Sequence, residues 1–106
     1  MNSVVRDEIY RVGYEAIRNA CVHSHGTNIE VSVEYGHDFI WRIQDNGIGI
    51  DAATLTSGKA GHFGLPGMRE RAERMRASFT LTSETQSGTT AVLVVPGRIA
   101  YQTANR

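Results

Sequence analysis

The chain has 106 residues, which is enough for one domain but not comfortably for two. Eleven basic residues balance eleven acidic ones, and this zero net charge disfavours a general nucleic-acid binder or a membrane-surface protein, since both need a basic excess. The single cysteine, Cys21, excludes an intrachain disulfide and is too few for a structural zinc site. The longest apolar run, 91–96, is too short to span a bilayer and no signal peptide opens the chain, so we expect a cytosolic domain without direct membrane contact.

The first elements in chain order are a helix and a hairpin. Apolar residues recur every three or four positions over Val4–His23, which predicts a helix with one apolar face, and Gly26 is expected to cap its C-terminus. Strict alternation over 28–35 predicts a strand with one apolar side. A second strand over 39–44 follows after a short turn, so the two are predicted to form an antiparallel hairpin.

The second half of the chain begins with a glycine-rich stretch, 45–67, that has little apolar periodicity. A helix is predicted over 65–75 and two strands over 79–83 and 89–95, whereas residues 97–106 lack a pattern and are expected to form a flexible tail. This order of elements predicts one domain with an α+β two-layer sandwich fold. Its mixed, mostly antiparallel sheet is expected to carry the helices on one face.

The first glycine cluster reads Asp-Asn-Gly-Ile-Gly-Ile-Asp over 45–51 and directly follows a predicted strand. A carboxylate at the end of a buried strand is costly unless it accepts hydrogen bonds, and Asp45 could accept one from an exocyclic amine. Gly47 and Gly49 lack a Cβ, so a flat ring could lie against the backbone there. An ordinary turn is the alternative, because Asn-Gly is common in turns.

The second glycine cluster stands immediately before the second helix and comprises Gly58, Gly61, Gly64 and Gly67. Backbone N–H groups at a helix N-terminus favour an anion, and glycines let phosphate oxygens approach closely. Pro66 removes one amide donor but suits a first helical turn. The cluster lacks both the Gly-Lys-Ser/Thr loop and the dinucleotide-binding fingerprint. A capped surface loop is the alternative interpretation.

A third group of polar residues lies within the first helix, where Glu15, Asn19 and His23 are spaced by four residues and therefore share one face. A glutamate can act as a base or hold a water, an asparagine carbonyl can bind Mg²⁺, and a histidine can contact a phosphate. A solvated polar stripe opposite the apolar face explains the same spacing.

Four motifs follow one another along the chain: EAIRNACVH over 15–23, DNGIGID over 45–51, GHFGLPGMRERA over 61–72 and SGT over 87–89. In this order they resemble the N box, the two glycine boxes and the terminal G-T element of the ATP-binding catalytic domain of sensor histidine kinases. That superfamily also includes gyrase, the ninety-kilodalton heat-shock chaperones and mismatch-repair ATPases. The second glycine box is similar to the form found in kinases whose response regulators carry a LuxR-type helix-turn-helix.

The resemblance implies the Bergerat ATP-binding fold, and it implies a role for each matching residue. Asp45 would bind the adenine amino group, and Gly49 would lie against the ring. Asn19 would coordinate the Mg²⁺ that bridges the phosphates, Glu15 would be the catalytic or water-orienting carboxylate, and His23 would lie near the phosphates or ribose. The other nucleotide-binding residues implied are Gly47, Ile50, Gly64, Leu65, Gly67 and Met68 around the ring and phosphates, Thr89 closing the adenine pocket, and His62 and Phe63 in a short ATP lid.

One departure from the family pattern concerns charge near the phosphates. The residue before the N-box histidine is commonly Lys or Arg in the family, whereas this chain has Val22. Arg18 and Arg69 are candidates to supply the missing charge.

The resemblance further implies transfer of the γ-phosphate of ATP to a histidine on a separate dimerisation domain, which we do not expect within these 106 residues. None of its four histidines stands in the phosphoacceptor context, so the chain by itself is not expected to autophosphorylate. The implied partners are that dimerisation domain and a downstream response regulator of the LuxR type. Two alternatives stay open: a stand-alone anti-sigma-factor serine kinase of the same superfamily, and a non-catalytic interaction module with a degenerate nucleotide site.

Overall fold

The computed structural model describes residues 3–23, 26–48, 65–84 and 88–101. The helices are α1 (Ser3–His23), α2 (Leu65–Arg74) and α3 (Gly97–Ala100), and the strands are β1 (Ile29–Tyr35), β2 (Phe39–Asp45), β3 (Ser78–Glu84) and β4 (Gly88–Val95). Both predicted long helices and all four predicted strands are confirmed, with ends that differ by one residue at most. None of the helices in these ranges is both long and apolar enough to cross a membrane.

The four strands form one sheet in the order β1-β2-β4-β3, and all three neighbouring pairs are antiparallel. The predicted hairpin β1-β2 is therefore confirmed, and β3 and β4 form a second antiparallel pair. The described strands contain no parallel pair, so the mixed component of the predicted sheet is not found among them. Strand β4 returns between β3 and β2, which makes β2 and β4 the two central strands.

The core lies between the helices and one face of this sheet, as the two-layer prediction requires. Alternate residues of β2 and β4 are buried on that face, and α1 contributes Ile9, Val12 and Ala16 to the same cluster. Val12 and Leu93 are fully buried, and each such side chain contributes about 1.5–3 kcal/mol of burial free energy. The strand alternation and the helical period thus both serve one apolar layer.

Strand β1 differs from the central strands because its apolar side chains stay exposed. Val31 and Val33 pair with the core residues Ile43 and Trp41, so they lie on the helix-bearing face of the sheet. Nevertheless Val31 and Val33 are about half exposed and Tyr35 is 73% exposed. The alternation correctly predicts that the apolar side chains share one side of the strand. It does not predict that the strand lies at the edge of the sheet.

The C-terminal segment is more ordered than the predicted flexible tail. Residues Gly97–Ala100 form the short helix α3, and Ala100 is completely buried in the core. The Gly97 N–H donates a hydrogen bond of 3.0 Å to Asp38 Oδ1, which ties α3 to the start of β2. The tail prediction is therefore wrong for 97–100, because a single turn is too short to show helical periodicity. Residues 102–106 lie outside the described ranges.

Candidate functional site

The last residue of β2, Asp45, carries a carboxylate that is only 7% exposed. Its Oδ1 accepts a hydrogen bond of 2.8 Å from the Gly47 N–H, which gives this oxygen one of the partners that a buried carboxylate needs. No donor in the described part of the chain contacts Oδ2. The sequence prediction that Asp45 ends a buried strand is confirmed.

A row of polar side chains crosses the sheet beside this carboxylate. Asp45 of β2 pairs with Thr89 of β4, and Thr89 pairs with Ser83 of β3, so the three side chains lie on the helix-bearing face. The Ser83 and Thr89 hydroxyl oxygens are 2.9 Å apart. The sequence motifs indicate Asp45 and Thr89 as site residues but give no signal for Ser83. The register of the β3-β4 hairpin is the signal that would have found it.

The residue after Asp45 holds together two loops at this end of the sheet. Asn46 Oδ1 accepts hydrogen bonds of 2.9 Å from the backbone N–H groups of both Thr27 and Asn28. Its Nδ2 donates to Thr27 Oγ1 at 3.0 Å. The segment that follows α1 is thereby fixed to the first glycine box, a structural role that the sequence analysis did not assign to Asn46.

Two glycines allow these loops to approach one another. A Cβ on Gly26 would meet the side chain of Asn46 and the N–H of Gly47, so Gly26 provides space for the Asn46 hydrogen bonds. Among the described glycines only Gly88 has a positive φ, so Gly26 does not have the left-handed conformation that is typical of a glycine at a helix C-cap. Gly88 has a φ of 94°, and a Cβ there would overlap the Asp45 carbonyl oxygen. The Gly-Thr element thus requires glycine for two reasons, backbone conformation and space.

The predicted N-box residues lie on one flank of α1. Glu15 and Asn19 are half-buried and share a face with Glu8, which forms an ion pair with Arg71 of α2 at 2.7 Å. This flank therefore faces the side on which α2 packs. The Glu15 carboxylate lies 3.7 Å from Arg18. His23 is the last residue of α1, and its side chain is outside the described part of the structure.

The predicted phosphate-binding residues around the start of α2 are described only in part. The helix begins at Leu65, and Gly67 is exposed with open space where a Cβ would point. The Met68 side chain is 2% exposed and lies in the hydrophobic core, so only its backbone N–H is left as a possible ligand contact. The predicted site residues outside the described ranges are Gly49, Ile50, His62, Phe63 and Gly64.

The two arginines considered as replacements for a cation at Val22 have different surroundings. The Arg69 guanidinium lies 5.7 Å from the centroid of the Phe79 ring on β3. That cation–π contact directs Arg69 toward the edge of the sheet opposite β1. Arg18 is half exposed beside Glu15 on α1.

The described part of the site offers hydrogen-bond acceptors and backbone amide groups. Within the described ranges, no three His, Cys, Asp or Glu side chains lie close enough to hold a metal ion. Mg²⁺ in proteins commonly takes most of its ligands from phosphate and water oxygens.

Two named proteins are similar in sequence to most of this chain. It is 38% identical over 89 residues to the signal transduction histidine-protein kinase/phosphatase DegS of Bacillus subtilis (strain 168), covering 83% of this chain and 23% of DegS. It is 36% identical over 93 residues to the sensor protein VraS of Staphylococcus haemolyticus (strain JCSC1435), covering 87% of this chain and 26% of VraS. The chain thus spans about a quarter of the length of these relatives.

A solved structure and a family profile agree with these relatives. The histidine kinase domain of the blue-light activated histidine kinase of Erythrobacter litoralis EL346 has a TM-score of 0.73 at 18% identity, covering 90% of this chain and 49% of that chain. At this identity the likeness shows the fold alone. The profile of the histidine kinase-, DNA gyrase B-, and HSP90-like ATPase family matches residues 4–99. The chain therefore belongs to this ATPase family.

Proposed function

We propose that the chain is the ATP-binding catalytic domain of a two-component sensor histidine kinase. The observation that carries this proposal is the buried Asp45 carboxylate, which has one oxygen fixed by Gly47 and the other available to a ligand donor. Family membership and the two sensor kinase relatives support the same function. They do not favour the anti-sigma-factor kinase or the non-catalytic module.

In this proposal the Asp45 end of the sheet binds the adenine base. Asp45 accepts a hydrogen bond from the exocyclic amine, and Thr89 closes the pocket on the neighbouring strand. Gly47 and Gly49 allow the ring to lie against the backbone. Phosphate oxygens accept hydrogen bonds from backbone amides near the start of α2, at Gly64, Leu65 and Gly67.

The residues of α1 act on the phosphate end of the nucleotide. Asn19 is the proposed Mg²⁺ ligand, and its buried amide oxygen is the atom that would hold the ion. A bound Mg²⁺ would neutralise phosphate charge during transfer. Glu15 orients the attacking group or accepts its proton, and His23 lies near the phosphates or ribose. Each role calls for an oxygen or nitrogen that these side chains carry.

The partners of this domain follow from the proposed reaction. The γ-phosphate is transferred to a histidine on a dimerisation domain, and a response regulator of the LuxR type then receives it. The length of the relatives, about four times that of the matched region, supports the presence of further domains in such a kinase. We place the domain on the cytoplasmic side of the membrane, where ATP is available.

The test is nucleotide binding by Asp45→Asn, measured by calorimetry with a non-hydrolysable ATP analogue and Mg²⁺. The asparagine side chain can still accept a hydrogen bond from the Gly47 N–H, but the charged oxygen that would accept from the ligand is lost. We expect affinity to fall about 10–100-fold, because a hydrogen bond to a charged group contributes ~1.5–3 kcal/mol. The matched control is Asp38→Asn, since Asp38 also accepts from a glycine N–H but at the opposite end of β2. Equal losses in both variants, or no loss in Asp45→Asn, would contradict the proposal.

A further inference from the structure

The hydroxyl of Ser83 contacts the Gly88 carbonyl oxygen and the Thr89 hydroxyl oxygen. We infer that Ser83 is a positioning residue that fixes the hydrogen-bond direction of Thr89 and thereby selects adenine over a base with a keto oxygen at the same position. This inference rests on the proposed function, since it assigns the specificity of the same pocket. It concerns a residue on β3, one strand further from the ligand than Thr89.

The direction follows from the donor and acceptor capacity of each group. Ser83 Oγ donates to the Gly88 carbonyl oxygen at 3.1 Å, and a carbonyl oxygen can only accept. A hydroxyl has a single hydrogen, so Ser83 must accept in its second contact, the one of 2.9 Å with Thr89 Oγ1. The hydroxyl hydrogen of Thr89 therefore points toward Ser83.

The start of this relay is held in place by the backbone. Gly88 has a φ of 94° and passes so close to the Asp45 carbonyl that no Cβ would fit. Its carbonyl oxygen, the acceptor for Ser83, therefore has little freedom to turn. A relay that begins at a fixed carbonyl keeps one direction, whereas an isolated threonine hydroxyl rotates to suit its partner.

The consequence is that this part of the pocket offers acceptors only. Thr89 presents its lone pairs, and Asp45 presents its Oδ2. The exocyclic amine of adenine supplies the donors that these groups need, directly or through a water. A keto oxygen at that position would face lone pairs on both sides and leave buried acceptors unpaired, which is costly.

The test compares ATP with ITP, which replaces the amine of adenine by a keto oxygen. Calorimetry gives the ratio of the ITP and ATP dissociation constants for the wild-type chain, Ser83→Ala and Ser83→Thr. In Ser83→Ala the Thr89 hydroxyl is released to donate to the keto oxygen, so we expect the ratio to fall by about threefold to tenfold, the worth of one hydrogen bond. Ser83→Thr keeps a hydroxyl and should keep the wild-type ratio. The matched control is Thr82→Ala, because Thr82 is exposed on the opposite face of the same strand.

A double variant separates positioning from a general structural effect. In a Thr89→Val background the relay has no hydroxyl to orient, so adding Ser83→Ala should leave the ratio unchanged. If Ser83→Ala does not fold, Ser83→Cys retains the shape with a weak donor and should lower the ratio in the same direction. ATP binding with an unchanged ratio in the folded Ser83 variants would overturn this inference and leave the proposed function intact. Failure of the wild-type chain to bind either nucleotide would overturn the proposed function itself.

Discussion

The two ends of β2 share one local arrangement, an aspartate carboxylate that accepts a hydrogen bond from a glycine N–H. At one end Asp38 accepts a hydrogen bond from the Gly97 N–H at 3.0 Å, and at the other Asp45 accepts one from the Gly47 N–H at 2.8 Å. Each end also has a glycine whose absent Cβ allows two backbone segments to pass. Gly97 lies against the His37 carbonyl, and Gly88 lies against the Asp45 carbonyl.

The difference lies in what surrounds each carboxylate. At the Asp38 end, Phe39 pairs with the fully buried Val95, and the turn of α3 places Ala100 in the core. At the Asp45 end, the β4 neighbour is Thr89 and the next strand contributes Ser83. A carboxylate bound to a glycine amide therefore does not by itself indicate a ligand site. The hydroxyl groups across the sheet distinguish the proposed ligand end from the Asp38 end.

The largest difference between the two ends is expected in the free energy of unfolding when the glycine at each end is replaced by alanine. Gly88→Ala places a Cβ both at a φ of 94° and against a carbonyl, so we expect it to lower the free energy of unfolding by about 3 kcal/mol or more. Gly97→Ala has only the overlap with the His37 carbonyl and should be less destabilising. Chemical denaturation measures both changes.

Nucleotide binding then sharpens the same comparison. The folded fraction of Gly97→Ala should retain the affinity of the wild-type chain for ATP, because Gly97 follows the end of β4 that is far from Thr89. The folded fraction of Gly88→Ala should bind ATP weakly, since the backbone shift that makes room for the new Cβ would displace both Asp45 and Thr89. Equal affinities in the two variants would count against a ligand site at the Asp45 end.

A smaller effect is expected where α1 meets α2. The Glu8 side chain is 15% exposed and accepts from Arg71 at 2.7 Å and from Arg74 at 3.4 Å. Glu8→Gln should lower the free energy of unfolding by about 1–2 kcal/mol, because it weakens charged hydrogen bonds between the helices. The matched control is Glu70→Gln, which affects an exposed pair with Arg74 within one helix and should cost under about 0.5 kcal/mol. Thermal melts that rank the two variants in the reverse order would contradict this assignment.

Much of this fold and part of the site could be predicted because the signals are local. Alternation and helical spacing predict the elements, and a carboxylate between a strand and two glycines identifies Asp45. Ser83 could not be identified from its neighbours along the chain, since its role depends on the register that brings it to Thr89.

Other features depend on tertiary arrangement and were not predictable from the pattern. The exposure of Val31 and Val33 follows from the order of strands in the sheet, which alternation does not specify. The contact of Arg69 with Phe79 depends on how α2 crosses β3. The helix at Gly97–Ala100 is stabilised by burial of Ala100 and the bond to Asp38, not by a sequence period.

The most direct test of a ligand site at the Asp45 end is an NMR titration of the ¹⁵N-labelled chain with ATP and Mg²⁺. We predict that the backbone amides of Gly47, Ser83 and Thr89 shift with a common saturation curve. The chemical shifts of the Asp38 and Gly97 amides, at the other end of β2, should not change. Shifts confined to Asp38 and Gly97, or saturation without any change at Gly47 and Thr89, would contradict the assignment of the nucleotide to the Asp45 end.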